Sequence, residues 1–250
     1  MLPLLSYHFH LNYNDFKKLY KILCPGPITF ILKIKKNSKI SKIALSQKHT
    51  IAVRIPKHKV AKAFLNSLNV PLAAPSANIS SKLSPTSAED VFDEFGKKIK
   101  FILDGGKSQI GIESTILDLT KNPTILRPGI ITKEQIEKIL KRKVKISSKS
   151  KKIKSPGQLK LHYSPGIPVK MNRTAVEKKY ALMGFGKRFR QGKNRFNLSK
   201  KGNLKEVANN LYKTMRKIKK NKFKSIYVTK IPNAGIGRAI NDRLKKASNK

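Results

Sequence analysis

The sequence alternates short apolar runs with stretches in which apolar residues recur at helical spacing. Ile28–Ile34 is an apolar run rich in β-branched residues and bounded by turn-forming residues, which predicts a strand, and a second strand is expected at residues 116–119. Tyr13–Leu23 carries its apolar residues at intervals of three and four, which predicts an amphipathic helix. None of the apolar runs is long enough to cross a bilayer. A chain with this pattern is expected to fold as an α/β or α+β protein.

The same two patterns place further elements up to residue 142, where the first domain is expected to end. We predict strands at residues 50–55, 100–103 and 124–126, and a buried apolar run that ends at Ala74. Helices are expected at residues 59–68, between Thr86 and Gly96, and from Thr132 through Leu140. The pairs Thr86 with Glu89 and Thr132 with Gln135 have the spacing of capping boxes at two of these helix starts.

The remaining chain reads as a linker followed by a smaller α/β domain. Residues 143–158 are rich in Lys and Ser, and we place the linker at 143–167, between domains at 1–142 and 168–250. In the second domain, strands are expected at residues 168–171, 180–183 and 226–228, and helices near 204–218 and 236–244. This alternation of strand and helix predicts a small parallel sheet.

The charge of the chain is strongly positive. There are 56 Lys and Arg residues against 13 Asp and Glu residues, a formal net charge of +43, which would attract a polyanion such as RNA. Only 10 of these cations are Arg, and the 46 Lys are scattered among abundant Ile and Asn. Phosphate-reading surfaces favour clustered Arg with aromatic residues, so the pattern favours compositional drift. Either origin predicts a weak, salt-sensitive affinity for nucleic acid.

The residues available for chemistry are mainly small polar side chains and arginines at predicted strand ends. They are Thr50, Arg54, Ser76, Asn78, Ser84, Ser114 and Arg127. Thr50 and Arg54 share one face of their strand because side chains alternate. Such groups bind and orient phosphates and carboxylates but transfer few protons, which suits nucleotidyl transfer from ATP.

Several other chemistries lack their residues. The five His show no metal-ligand spacing, the lone Cys24 cannot form a thiolate cluster, and no phosphate-binding G-x-x-x-x-G-K-[ST] loop or G-x-S-x-G nucleophile elbow occurs. A carboxylate pair from Asp104 and Glu113 stays possible, although Glu113 is equally able to pair with Lys. A single cysteine fits a reducing compartment, and no signal-peptide core follows Met1. We therefore expect a soluble, cytoplasmic protein with no membrane partner.

Several motifs, taken in order, resemble the YrdC-type threonylcarbamoyl-AMP synthase family in its two-domain form. They are CPGPITFIL, TIAVRIP, PLAAPSANISSKLSPTSAEDV, ILDGG, GIESTILDL, ILRPG and, in the linker, SPGQLKLHYSP. The resemblance covers nearly the whole chain. It implies a YrdC-like twisted mixed sheet with helices, and a smaller Rossmann-like α/β C-terminal domain.

The resemblance also implies an activity and a set of site residues. Family members combine L-threonine, bicarbonate or CO2, and ATP into threonylcarbamoyl-AMP and pyrophosphate, for a tRNA modification. By that resemblance, Arg54 holds the threonine carboxylate, with Ala74 and Ser114 beside the amino acid. The residues implied for ATP are Thr50, Ser76, Asn78, Ser84, Arg127, His162 and Tyr163, with Asn78 supporting its loop and the last two folding over the nucleotide as a lid. Mg2+ is expected with ATP, and tRNA or the downstream threonylcarbamoyl transferase is an expected partner.

The start of the chain departs from the family pattern. Family members open with a P-T-E-T-x-Y-G-L segment and a K-x-R-P motif, whereas residues 1–8 resemble the segment that follows K-x-R-P. We therefore expect a chain that begins late and lacks a central strand and half of the triphosphate clamp. The alternative to the synthase is a catalytically impaired fragment that acts at most as a basic RNA-binding module.

Overall fold

The computed structural model describes residues 9–10, 13–45, 49–68, 70–147 and 162–248. They form two compact units. The N-terminal unit comprises residues 1–74 and 114–158, and the C-terminal unit comprises residues 75–113 and 159–250. Segment 75–113 thus groups with the C-terminal unit, so the compact units do not follow the three predicted domain ranges. Those domain boundaries stay a prediction.

The N-terminal unit is built on a mixed sheet, as predicted. Its strands are β1 (Phe9–His10), β2 (Ile28–Ile34), β3 (Thr50–Arg54), β4 (Thr115–Asp118), β5 (Thr124–Arg127) and β6 (Lys145–Ile146). Strand β2 pairs antiparallel with β1 and β3 and parallel with β4, while β4 pairs antiparallel with β5, and β5 parallel with β6. The helices of this unit are α1 (Tyr13–Leu23), α2 (Lys59–Asn66) and α4 (Lys133–Leu140).

The larger buried cluster of the N-terminal unit lies on one face of this sheet, and Ile31, Ile116 and Leu126 form a second, smaller one. Phe16 and Leu19 of α1 and Ile136 of α4 are buried against Phe30 and Leu117 of the central strands. Burial of each such side chain contributes roughly 1.5–3 kcal/mol. The Thr132–Gln135 capping box at the start of α4 is present in both directions, as predicted.

The C-terminal unit contains a four-stranded, fully parallel sheet. Its strands are β7 (Val169–Met171), β8 (Ala181–Gly184), β9 (Arg195–Asn197) and β10 (Ile226–Val228), in the spatial order β7-β10-β8-β9. The helices are α3 (Ala88–Phe95), α5 (Leu204–Lys220) and α6 (Ile236–Ser248), and a short 3-10 helix spans Gly96–Lys98. Helix α5 buries Val207, Leu211 and Met215 in the core of this unit. This confirms the smaller α/β domain.

Two strand predictions are wrong. Residues 100–103 and the run that ends at Ala74 have no strand structure, and their apolar side chains are exposed, with Val70 at 63% and Phe101 at 89%. An apolar run forms a strand only beside another strand that accepts its backbone hydrogen bonds. Neither segment pairs with a strand in the described part of the chain.

The start of α3 also differs from its prediction. The N-cap is Ser87, whose Oγ accepts from the backbone N–H of Asp90 at 3.3 Å. Thr86 instead donates from its hydroxyl to the Asp90 carboxylate at 2.7 Å. The helix begins one residue later than the Thr86–Glu89 box requires, so Asp90 takes the place predicted for Glu89.

Candidate active site

The N-terminal unit gathers four polar side chains at one end of its sheet. Because β3 runs antiparallel to β2, and β5 antiparallel to β4, Arg54 and Arg127 at their carboxyl ends come beside the beginnings of β2 and β4. Arg54 is paired directly with Thr29 in the strand register. Ser114 immediately precedes β4. The topology thus unites residues that are far apart in the sequence.

Hydrogen bonds order three of these side chains. The hydroxyls of Thr29 and Ser114 lie 2.7 Å apart. Arg127 donates from Nε to the Ser114 carbonyl and from Nη2 to the Ser114 hydroxyl, each at 3.1 Å. All three residues are buried, so this arrangement is fixed before any ligand binds.

The guanidinium of Arg54 is perturbed by its surroundings at this end of the sheet. Desolvation by the surrounding protein and, second, the charge of Arg127 lower the pKa of the Arg54 guanidinium, although part of the side chain stays exposed. Two guanidinium groups that repel each other are relieved by an anion placed beside them. This end of the sheet is therefore suited to a carboxylate or a phosphate.

Gly129 packs directly against the backbone of Ser114 and Thr115. A Cβ built on Gly129 would lie 2.4 Å from the backbone nitrogen of Thr115 and 2.8 Å from the carbonyl carbon of Ser114. The Arg-Pro-Gly sequence after β5 therefore allows the chain to pass directly against the Glu-Ser-Thr segment. The close approach brings Arg127 within reach of Ser114.

The other two predicted site residues of this unit lie elsewhere. Thr50 is at the opposite end of β3, paired with Lys33, and four residues of strand separate it from Arg54 by about 13 Å. The exposed pattern of Ala52 and Arg54 against the more buried Ile51 and Val53 agrees with the predicted strand face. Ala74 is exposed and follows no strand.

In the C-terminal unit, the Ser76–Ser84 loop is tied down by its own backbone and by α3. Asn78 donates from Nδ2 to the carbonyls of Ile79 at 2.8 Å and Lys82 at 3.3 Å, which is the loop-supporting geometry predicted for it. The Glu94 carboxylate accepts from the Ile79 backbone N–H at 3.1 Å. Ser76 is exposed on this loop.

Glu113 joins the end of this loop to the C-terminal helices. Its carboxylate accepts from the Ser84 hydroxyl at 2.5 Å, from the Tyr212 hydroxyl at 3.2 Å and from Arg243 Nε at 2.7 Å. Burial and then the neighbouring Glu113 charge raise the pKa of Tyr212 well above its usual value, so the phenol remains a proton donor. Asp104, the other candidate carboxylate, accepts instead from the backbone N–H of Gly106 at 2.7 Å within an exposed turn.

The predicted lid residues belong to the same network. Tyr163 is fully buried, with its ring stacked on that of Tyr212 at 5.9 Å and beneath the Arg243 guanidinium at 5.0 Å. The backbone N–H of Ser164 donates to the Ser81 carbonyl at 2.8 Å. His162 is half-buried and accepts from the Tyr163 backbone N–H through Nδ1. The tyrosine of the pair thus lies in the core of this unit.

Sequence reasoning missed four residues that build these clusters: Thr29, Tyr212, Arg216 and Arg243. Thr29 gives no local signal, because its partner Ser114 is 85 residues away. Arg243 does give one, since a charged residue between Ile240 and Leu244 on the apolar face of a helix indicates a buried ion pair.

Within the described ranges, no group of three or more His, Cys, Asp or Glu residues is arranged to hold a metal ion. Over those same residues, no helix is both long and apolar enough to span a membrane. The arrangement that remains consists of hydroxyl, amide and guanidinium groups, which position and neutralise anions.

Two family models together match almost the whole chain. The Sua5/YciO/YrdC model, described as telomere recombination, matches residues 6–129. The model described as threonylcarbamoyl-AMP synthase, C-terminal domain, matches residues 131–249.

Similar proteins and structures agree with both models. A threonylcarbamoyl-AMP synthase of Bacillus subtilis is 34% identical over 93% of this chain and 72% of its own length. One of Pyrococcus abyssi is 34% identical over 94% of this chain and 74% of its own length. The crystal structure of P. abyssi Sua5 complexed with L-threonine superposes with a TM-score of 0.87 at 30% identity, covering 99% of this chain and 78% of that one. A structure of P. abyssi Sua5 with an adjacent His–Tyr pair changed to alanines gives a TM-score of 0.85. The chain therefore belongs to the two-domain Sua5/YrdC family of threonylcarbamoyl-AMP synthases.

Proposed function

We propose that the protein is an L-threonylcarbamoyladenylate synthase. It combines L-threonine, bicarbonate or CO2, and ATP into threonylcarbamoyl-AMP and releases pyrophosphate. The observation that carries this proposal is the prearranged group of Arg54, Arg127, Ser114 and Thr29 at one end of the N-terminal sheet. That group combines two cationic side chains with fixed hydroxyls. Such groups bind the carboxylate of an amino acid and the phosphates of a nucleotide. The similar P. abyssi structure was solved with L-threonine.

The chemistry needs positioning more than proton transfer. The threonine amine adds to CO2 to give a carbamate and a proton. A carbamate oxygen then attacks the α-phosphorus of ATP, and the bond to the β,γ-pyrophosphate breaks. Holding the carbamate and the α-phosphate in line, with their charge neutralised, supplies most of the rate enhancement that such a site offers.

The candidate substrate ligands are proposed residue by residue, and they occur in both units. In the N-terminal unit, Arg54 binds the threonine carboxylate beside Ser114 and Ala74, and Thr50 and Arg127 contact ATP. In the C-terminal unit, Ser76 and Ser84 contact ATP, and Asn78 holds their loop. His162 and Tyr163 lie over the nucleotide as a lid. They are the only His followed directly by Tyr in the sequence, and a P. abyssi Sua5 structure has such a pair replaced by alanines.

The partners and setting of the reaction follow from the same proposal. ATP is used as a substrate, and Mg2+ accompanies its phosphates; the described residues offer no ligand set for the ion, so no step is assigned to it. The product feeds a threonylcarbamoyl transferase acting on tRNA, and the enzyme works in the cytoplasm. The RNA-binding module without catalysis is not favoured, because the similar proteins are synthases by name.

Arg54→Ala tests the proposal directly. The variant loses the charged partner of the threonine carboxylate, which is worth about 1.5–3 kcal/mol, so the KM for threonine should rise roughly 10- to 150-fold. Pyrophosphate release is measured with and without threonine. Arg188→Ala is the matched control, because Arg188 is an exposed arginine in the turn after β8. This variant should leave the KM for threonine and the rate of pyrophosphate release unchanged. Equal KM values for threonine in the two variants would refute the assignment of Arg54.

A further inference from the structure

We infer that Glu113 is a positioning residue through which helices α5 and α6 set the nucleotide-contacting Ser84. This inference rests on the proposed function, in which Ser84 contacts ATP. It assigns the C-terminal domain a specific task in the reaction, namely to fix one ligand of the nucleotide.

The side chain of Ser84 is oriented by a chain of hydrogen bonds that ends on the C-terminal helices. Ser84 Oγ donates to Glu113 Oε1 at 2.5 Å. Glu113 is in turn fixed by Tyr212 from α5 and by Arg243 from α6. The Ser84 hydroxyl uses its proton in the bond to Glu113. Its oxygen therefore remains available as an acceptor, either for a hydrogen-bond donor on the ligand or for a hydrated cation.

The backbone of Ser84 is held from the same side. Arg216 of α5 donates from Nη2 to the carbonyls of Leu83 at 3.0 Å and Ser84 at 2.7 Å, and it forms an ion pair with Asp90 at 3.2 Å. Tyr212 and Arg216 are one helical turn apart, so a single helix face contacts both the carboxylate and the loop. The main chain of Ser84 is thus held by α5 directly, and its side chain is connected to α5 through Glu113.

The network is rigid because its members are buried and cross-braced. The Arg243 side chain is fully buried, and it also pairs with Asp242 at 2.5 Å and covers the ring of Tyr163. Tyr212 is stacked on Tyr163. A carboxylate in such a setting cannot turn away from Ser84 without leaving a buried guanidinium less well paired.

The test combines Glu113 variants with Ser84→Ala. Glu113→Gln should raise both the Kd and the KM for ATP about tenfold, and Tyr212→Phe should raise both about threefold. Neither variant should change the KM for threonine by more than about twofold. In the Ser84→Ala background, the same two changes should have no further effect on ATP. Tyr227→Phe on β10 is the matched control for Tyr212→Phe and should behave as the wild type. Circular dichroism spectra and unfolding midpoints identify any variant that fails to fold, and Tyr212→Phe is the mildest change.

The outcomes separate this inference from the function on which it rests. If the wild type neither binds ATP nor releases pyrophosphate with threonine, the proposed function fails and this inference fails with it. If the wild type does both, and folded Glu113→Gln binds ATP as tightly as wild type, the positioning role is overturned. Effects of Glu113→Gln and Ser84→Ala that simply multiply would also overturn it, because a purely structural role gives independent losses.

Discussion

Replacing Gly129 with alanine should displace the Glu-Ser-Thr segment and weaken the site of the N-terminal unit. The added Cβ would lie 2.4 Å from Thr115 N, 2.7 Å from Thr115 Oγ1 and 2.8 Å from the Ser114 carbonyl carbon, whereas ordinary contact begins at 3.4 Å. Two of these atoms are backbone, so the segment must move by about 1 Å. Overpacking of this kind costs about 1–3 kcal/mol. The two 3.1 Å bonds from Arg127 to Ser114 would lengthen at the same time, which brings the expected loss to about 3 kcal/mol.

Gly192→Ala provides the matched control. A Cβ at Gly192 meets nothing closer than 3.8 Å, so this variant should keep the free energy of unfolding within about 0.5 kcal/mol of wild type. The free energy of unfolding of both variants is measured by urea unfolding. The transition is followed by circular dichroism, because the chain contains no Trp whose fluorescence could report it. Threonine affinity, measured by calorimetry, should fall only in Gly129→Ala. If Gly129→Ala matched the control in stability and in threonine affinity, the close approach deduced at Gly129 would be wrong.

Four further outcomes follow from the structure. Burial raises the pKa of Cys24 to about 11 from 9.0, so its alkylation by iodoacetamide at pH 8 should be about 100-fold slower than that of a free thiol. An alkylation rate equal to that of a free thiol would contradict the burial. As pH rises from 9 to 11 the unfolded chain loses this proton before the folded chain does, so the free energy of unfolding should decline. Thr132→Ala removes the acceptor for the Gln135 N–H and should lower the free energy of unfolding by about 1 kcal/mol, while Thr132→Ser should retain most of it. Among the described residues, Glu113→Ala leaves the buried Arg243 with Asp242 as its remaining anionic partner and should cost about 3 kcal/mol. An unchanged melting temperature would argue against the ion pair of Glu113 with Arg243. Non-specific tRNA binding, measured by filter retention, should weaken steeply between 50 and 200 mM salt, by about 10³-fold or more if six phosphates are contacted, and a salt-independent affinity would contradict a purely electrostatic origin.

The features predictable from the sequence are those set by neighbouring residues. The capping box at Thr132 and the alternating faces of β3 depend on spacings of three and two residues, and both are present. The long apolar face of α5 is equally local. Helical and strand periodicity is a property of a short window, so a single sequence contains enough information to place it.

Features that depend on distant partners could not be predicted in this way. Residues 100–103 have strand composition but no neighbouring strand among the described residues, so their apolar side chains stay exposed. Glu113 pairs with Arg243 at a separation of 130 residues, whereas the sequence left open a carboxylate pair with Asp104 or an ion pair with Lys. The grouping of segment 75–113 with the C-terminal helices has the same origin, because only the folded chain brings Arg216 to Ser84.

Threonine-dependent pyrophosphate release is the most direct test of the synthase function. The protein is incubated with ATP, bicarbonate and Mg2+, with and without L-threonine, and pyrophosphate is quantified while the nucleotide product is identified by mass spectrometry. We expect release that requires L-threonine and yields threonylcarbamoyl-AMP. At threonine concentrations below the wild-type KM, release should fall strongly in Arg54→Ala and stay at the wild-type level in Arg188→Ala. Release that is the same without threonine, or no threonylcarbamoyl-AMP from protein that binds both substrates, would contradict the function proposed here.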